Sequence, residues 1–220
     1  MDIFGALISI VILVYSAILH EIAHGFIADR LGDPTARLMG RLTLNPKNHI
    51  DPIMSVLLPA ILILSGSPII FGAAKPVPVD PFNLRDGRKD MALVSLAGPM
   101  TNLIIAVIAA ILAKLLIFLA PMLGANSGIE SIIIPVYMFL FIVVKINLIL
   151  AIFNLIPIPP LDGSKVFSLI LPEKEAATYL AIGNVGMFIV FFLLMFPVGG
   201  FSLGSFIGNL LNFSLKILGL

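Results

Sequence analysis

Long apolar runs decide the solvent of this chain before anything else in it can be read. They lie at roughly 3–28, 53–72, 91–120, 131–157, 177–197 and 201–219. Each approaches or exceeds the ~20 residues that an α-helix needs to cross a bilayer. A backbone in hydrocarbon must satisfy its own hydrogen bonds, and a helix does this within one segment. The polar connections at 29–52, 73–90 and 158–176 hold most of the charge. The expected fold is therefore an all-α polytopic membrane protein. Only 11% of the 220 residues are charged, against about a quarter in soluble domains. A net charge of +1, with no basic cluster interleaved with aromatics, argues against nucleic acid as a partner. The absence of cysteine removes disulfides, thiolate metal sites and cysteine nucleophiles.

The runs predict five to six transmembrane helices. Met1 and Asp2 supply no positive n-region, and no small-x-small site precedes the polar motif, so the first run reads as a retained helix rather than a signal peptide. The segment near 53–80 is expected to be re-entrant. Pro59, Gly66 and Pro68 suit a broken path. A full crossing would also put two equal basic clusters on opposite sides: Arg30, Arg37, Arg41 and Lys47 in the first connection, and Lys75, Arg85, Arg88 and Lys89 in the second. If the segment enters and returns, both clusters share the cytoplasmic side. The positive-inside rule then puts the N-terminus outside and the C-terminal end, with Lys216, inside. With no repeat or flexible linker, residues 1–220 read as a single membrane-embedded domain, a core of 1–170 followed by additional helices over 177–219.

Within the first apolar run, "LHEIAHGF" concentrates His20, Glu21 and His24, two of the three histidines in the chain. Positions i and i+4 of a helix share one face, so both imidazoles can offer nitrogens to one ion. Glu21 sits about 100° around the helix, placed to act as a base beside the ion rather than as a ligand. That is the donor set of a zinc hydrolase. For a single histidine on an apolar face, a buried hydrogen-bonded side chain would be the plainer reading. The full motif inside a membrane helix outweighs it, because intramembrane ionisable groups are costly and usually functional. A third ligand is needed, and the candidates are His49 or a carboxylate from elsewhere. "NLIPIPPLDG" ends a later run, and its prolines at 157, 159 and 160 stop helix propagation there. Asp162 is then either a ligand or simply the cap of the next helix. A re-entrant 53–72 brings Asp162 to the side of His20, and a crossing would send it to the other.

Four stretches in order, "HEIAHGFIADRLGDPTARLMGRLTLNPKNHIDP", "FGAAKPVPV", "SLAGPMTN" and "NLIPIPPLDG", give the chain from His20 to Gly163 a specific resemblance. It resembles the site-2 protease family of intramembrane zinc metalloproteases, in the compact form without PDZ or CBS domains. The resemblance implies one Zn2+ held by His20, His24 and Asp162, with Glu21 as catalytic base. It implies that Asn154 helps to hold the substrate or its oxyanion, and it gives Asn102 of "AGPMTN" a related position. Small residues in "AGPMTN" would also suit close helix packing alone. Relatives usually carry tryptophan at the position of Ala73, and this chain has none.

The implied reaction is hydrolysis of peptide bonds in transmembrane segments of membrane-tethered substrates. The reading is a multi-pass protein of the cell membrane whose active site the charge argument puts toward the cytoplasm, and analogy with the family implies an upstream protease or adaptor controlling access. In "KPVPV", Pro76 and Pro78 lack N–H groups, whereas Val77 and Val79 keep theirs on the other edge of an extended strand. A substrate strand could pair there by β-augmentation, or the stretch could be only a rigid connector. The alternative from another class is a transporter or channel whose intramembrane polar residues line an ion path. His49 reads as a loop histidine bonded to Asp51 or a carbonyl. Asp33 and Asp51, each before proline, read as turn residues, and Lys145 lies inside an apolar run without an assigned role.

Overall fold

The structure is a computed structural model that describes residues 3–51, 57, 61, 75–122 and 130–220. Its first helix, α1 (Ile3–Leu31), uses the whole of the first apolar run. It stops where Gly32 adopts φ +117 and the Asp33 N–H reaches back to the Ala28 carbonyl at 2.9 Å. This backward bond over a left-handed glycine closes a helix, and Pro34 prevents its continuation. A short helix α2 (Thr35–Leu38) follows. Then come α3 (Gly87–Leu119), α4 (Glu130–Asn154), α5 (Asp162–Phe167), α6 (Glu173–Leu180), α7 (Gly183–Met195) and α8 (Leu203–Leu218). Among the described residues there is no strand, only an isolated bridge between Val198 and Phe201.

Helix α3 lies between α1 and α4 and packs extensively on both. It runs antiparallel to α1, since His24 meets Val94 and His20 meets Asn102. It also runs antiparallel to α4, where Ala106, Ala109 and Ala110 pack against Val144 and Leu148. Small side chains at that seam let the two backbones approach, which is how helices associate where lipid offers no hydrophobic contrast. Ile104, Ile108 and Ile111 point out of the bundle. The end of α1 and the start of α3 are joined by Ala28, Leu84 and Val94.

Among the described residues, α1, α3 and α4 are long and apolar enough to cross a membrane, and α6 with α7 would add a fourth only as one span bent by 69°. That is fewer than the five to six expected. Glu173, Lys174 and Glu175 open α6, Gly183 at φ +48 breaks the path, and α7 keeps only 13 residues. One side of it packs on protein, where Val190, with Met187, Leu193 and Leu194, lies against Ile156, Leu161 and Leu203, while Val185, Phe188 and Phe192 are exposed. Helix α8, with 16 residues, rises about 24 Å, short of a ~30 Å hydrocarbon core.

This packing corrects the expected position of the C-terminal end. Helix α8 starts beside Leu161 and finishes where a Cβ on Gly219 would stand 2.5 Å from Lys114 Nζ, near the far end of α3. Lys216 therefore lies at the end of the bundle where α1 begins, not with Asp162.

The expected re-entrant segment and Ala73 lie, apart from Leu57 and Ile61, outside the described residues. Residues on either side of it touch. The Lys75 N–H donates to the His49 carbonyl at 2.8 Å, and Arg41 Nη2 donates to the carbonyls of Lys75 and Pro76 at 2.8 and 3.2 Å. Both basic connections thus lie at the end of the bundle that carries the "HEIAH" turns.

Candidate metal centre

His20 and His24 stand one turn apart on α1, buried, with ring centroids 4.6 Å apart and nearly perpendicular planes. Asp162, the first residue of α5, turns its carboxylate toward them. Its Oδ2 lies 3.1 Å from His20 Nε2 and 3.2 Å from His24 Nε2. Among the described residues these are the one group of three side chains spaced to share an ion.

The outer nitrogens fix the protonation pattern. His20 Nδ1 lies 2.6 Å from Asn102 Oδ1, and His24 Nδ1 lies 2.7 Å from the Val94 carbonyl. Both partners only accept, so each Nδ1 carries a proton, and in a neutral imidazole the lone pair is then on Nε2. The two Nε2 atoms and a carboxylate oxygen converge on one point, where a proton or a metal cation must stand between them. Donors bonded to a tetrahedral zinc at about 2.0–2.2 Å stand roughly 3.3 Å from one another, close to the separations here. The donor set and its spacing fit zinc.

Glycines make the approach possible. A Cβ on Gly98 of α3 would fall 2.5 Å from Nε2 of both histidines. The smallness in "AGPMTN" thus admits imidazoles as well as backbone. A Cβ on Gly163 would collide with the Leu155 carbonyl, so this glycine lets the Asp162 turn fold against the end of α4. Leu161, not Asp162, is the N-cap of α5, which disposes of the capping reading. Lys165 Nζ lies 3.8 Å from Asp162 Oδ1 and donates to the Pro160 carbonyl at 2.5 Å. Burial pulls its pKa down, against the opposing pull of Asp162.

The other anticipated residues are distributed as follows. Glu21, half-buried, accepts the Val77 N–H at 2.7 Å through Oε2, so one of the two N–H groups expected to face a substrate strand is turned to Glu21 instead. Val79 packs beside Ala28, Leu84 and Val94. Asn154 ends α4, and its Nδ2 donates to the Leu150 carbonyl at 2.9 Å. Asn102 is wholly buried behind His20, its Oδ1 2.6 Å from His20 Nδ1 and its Nδ2 donating to Asn147 Oδ1 at 2.9 Å. His49 is outside the donor group, with its Nε2 2.8 Å from the Thr43 carbonyl, as expected of a loop histidine. Lys145 is exposed on α4, its Nζ 5.7 Å from the centre of the Phe141 ring.

Two residues that sequence reasoning passed over stand behind the site. Asn147 and Ser16 are buried and bonded to Asn102 and to each other. A carboxamide inside the apolar run of α4 was the available signal, since an intramembrane polar group needs a partner. Asp33 also does more than turn the chain. It accepts from the Asp80 N–H at 2.7 Å, Asn83 Nδ2 at 3.0 Å and the Thr35 N–H at 3.1 Å, and thereby ties the 75–84 connection to the end of α1.

A model of peptidase family M50 matches residues 8–197. The chain is 35% identical to YwhC of Bacillus subtilis over 196 residues, 88% of this chain and 83% of that protein. It is 32% identical to Rip2 of Mycobacterium tuberculosis over 193 residues, 88% of this chain and 67% of that protein. Both relatives carry the name "putative zinc metalloprotease". No solved structure matches the chain.

Proposed function

The chain belongs to peptidase family M50, and from that membership we propose that it is a zinc-dependent endopeptidase that cuts membrane-tethered proteins within their transmembrane segments. The observation that carries the reading is the convergence of His20 Nε2, His24 Nε2 and Asp162 Oδ2 beside Glu21. His20, His24 and Asp162 hold the ion. When bound, zinc supplies Lewis-acid polarisation of the scissile carbonyl and makes water acidic enough to ionise near neutral pH. Glu21 takes the proton of the attacking water and delivers it to the leaving amine. The Val77 N–H fixes Glu21 Oε2, which leaves Oε1 for that transfer. Asn154 donates to the developing oxyanion once its Nδ2 leaves the Leu150 carbonyl. A helical substrate must unwind before its carbonyls can be attacked, and the extended 77–79 segment, with the Val79 N–H, receives the unwound strand.

Orientation follows from charge. Both basic connections lie at the end of the bundle that bears Glu21, and the positive-inside rule assigns that end to the cytoplasm. The ion-path alternative is not favoured: His20, His24 and Asp162 converge on one point, and the relatives are named as proteases.

The test is purification in detergent, metal analysis, and cleavage of a transmembrane peptide by wild type and Glu21→Gln. Zinc should be retained and cleavage lost in the variant. Undiminished cleavage would remove Glu21 from the reaction, and zinc-free wild type that cleaves as well as the zinc-loaded form would remove the metal.

A further inference from the structure

We propose that Asn147, in the C-terminal half of α4, is a positioning residue for the metal centre: it fixes the orientation of Asn102 and, through it, the tautomer in which His20 meets the ion. The inference rests on the zinc-site reading above and extends it to a residue that touches no ligand.

A carboxamide has a donating end and an accepting end, and the end facing an imidazole selects the imidazole's tautomer. The sequence of constraints begins at backbone. The Val143 carbonyl only accepts, so the side chain 2.9 Å away must turn its Nδ2 toward it, and the same Nδ2 reaches Ser16 Oγ at 2.9 Å. Asn147 Oδ1 is thereby aimed at Asn102, whose Nδ2 donates to it at 2.9 Å. A weaker bond from that Nδ2 to the Ser16 carbonyl, at 3.4 Å, agrees. Asn102 Oδ1 is then left for His20, 2.6 Å from Nδ1. His20 must then carry a proton on Nδ1, which keeps Nε2 as the nitrogen for the ion.

All four side chains are buried: Ser16 at 5%, His20 at 6%, Asn102 and Asn147 at 0% exposure. Water therefore cannot substitute cheaply for a missing partner. His24 provides the contrast. Its Nδ1 proton goes to the Val94 backbone carbonyl, which cannot turn end for end. Only the His20 tautomer depends on a side-chain relay. Without Asn147, Asn102 can rotate and offer its NH2 to His20 Nδ1, which favours the tautomer protonated on Nε2. That tautomer has no lone pair for a metal.

The experiment uses full-length protein in detergent with 15N-labelled histidine, three residues in all. Metal-free Asn147→Leu should lose the Nδ1 proton of His20 and keep that of His24. By chelator competition, zinc affinity should fall roughly 10- to 100-fold, the usual cost of losing an outer-shell partner. Asn102→Ala combined with Asn147→Leu should bind zinc as Asn102→Ala alone does, because one residue acts through the other. Asn147→Ala is read in the same way if the leucine is not accommodated. An unchanged His20 tautomer, an equal change at both histidines, or additive losses in the double variant would each overturn the proposal. Retention of wild-type zinc affinity by His20→Ala would instead overturn the site assignment itself.

Discussion

Gly98→Ala should weaken the metal centre although it favours the helix. Alanine in place of glycine inside α3 stabilises a helix by about 1 kcal/mol. Its Cβ, however, would stand 2.5 Å from Nε2 of His20 and of His24, and 2.6 Å from His20 Cε1. Non-bonded carbon and nitrogen settle near 3.5 Å, so both rings must retreat by about 1 Å. Neither ring is free to do so, because Asn102 and the Val94 carbonyl grip them from the same helix at 2.6 and 2.7 Å. Giving up those two bonds costs about 2–3 kcal/mol, which leaves the metal-free protein roughly 1–2 kcal/mol less stable. The donors suffer more, since metal sites tolerate about 0.2 Å and a 1 Å misplacement of reacting groups costs about 100-fold in rate. Thermal unfolding in detergent should show a small downward shift without metal and loss of the stabilisation that zinc gives wild type. Chelator competition should show zinc affinity reduced by about 100-fold. Wild-type zinc affinity and turnover in Gly98→Ala would refute the reasoning, because the rings could not then be leaning on that glycine.

Gly163→Ala drives a Cβ into the Leu155 carbonyl; backbone cannot yield cheaply, so the variant should lose both zinc and about 1–3 kcal/mol of stability, measured by metal content and unfolding temperature. Val77→Pro removes the N–H that Glu21 accepts at 2.7 Å; zinc should stay bound while kcat falls roughly tenfold or more, and an unchanged kcat would mean that the base needs no such partner. Hydrogen bonds from Thr35, Asn83 and the Asp80 N–H overcome the effect of burial and hold the Asp33 carboxyl below its ordinary value. A depressed native pKa gives stability that is present above the ordinary carboxylate value near 4 and lost as pH falls through the native value. Wild type should therefore lose stability below about pH 4 more steeply than Asp33→Asn, and parallel acid limbs in unfolding would contradict this.

What could be read in the sequence follows from how local each feature is. His20, Glu21 and His24 were legible because one helical turn fixes their relation and nothing distant is needed. Asp162 is 138 residues beyond His24 (162 minus 24), and only the ordered motifs and the crossing argument pointed to it. The role of Asn102 was not legible, since sequence does not say which of its neighbours lies behind a ring. Helix α7 misled for a different reason. Its run is apolar enough for lipid, but the sequence does not show the break at Gly183, which has φ +48, or that only 13 residues remain helical after it.

The contact between Gly186 and Pro159 has a mechanical consequence. No side chain could stand at Gly186, where even a Cβ would run into the Pro159 carbonyl. The loop leading to Asp162 is therefore seated on α7. Two of the three donors ride on one continuous helix and keep their spacing whatever else moves, whereas the carboxylate is mounted on a joint. The turn that carries Asp162 therefore takes its position from a helix that supplies none of the three side chains.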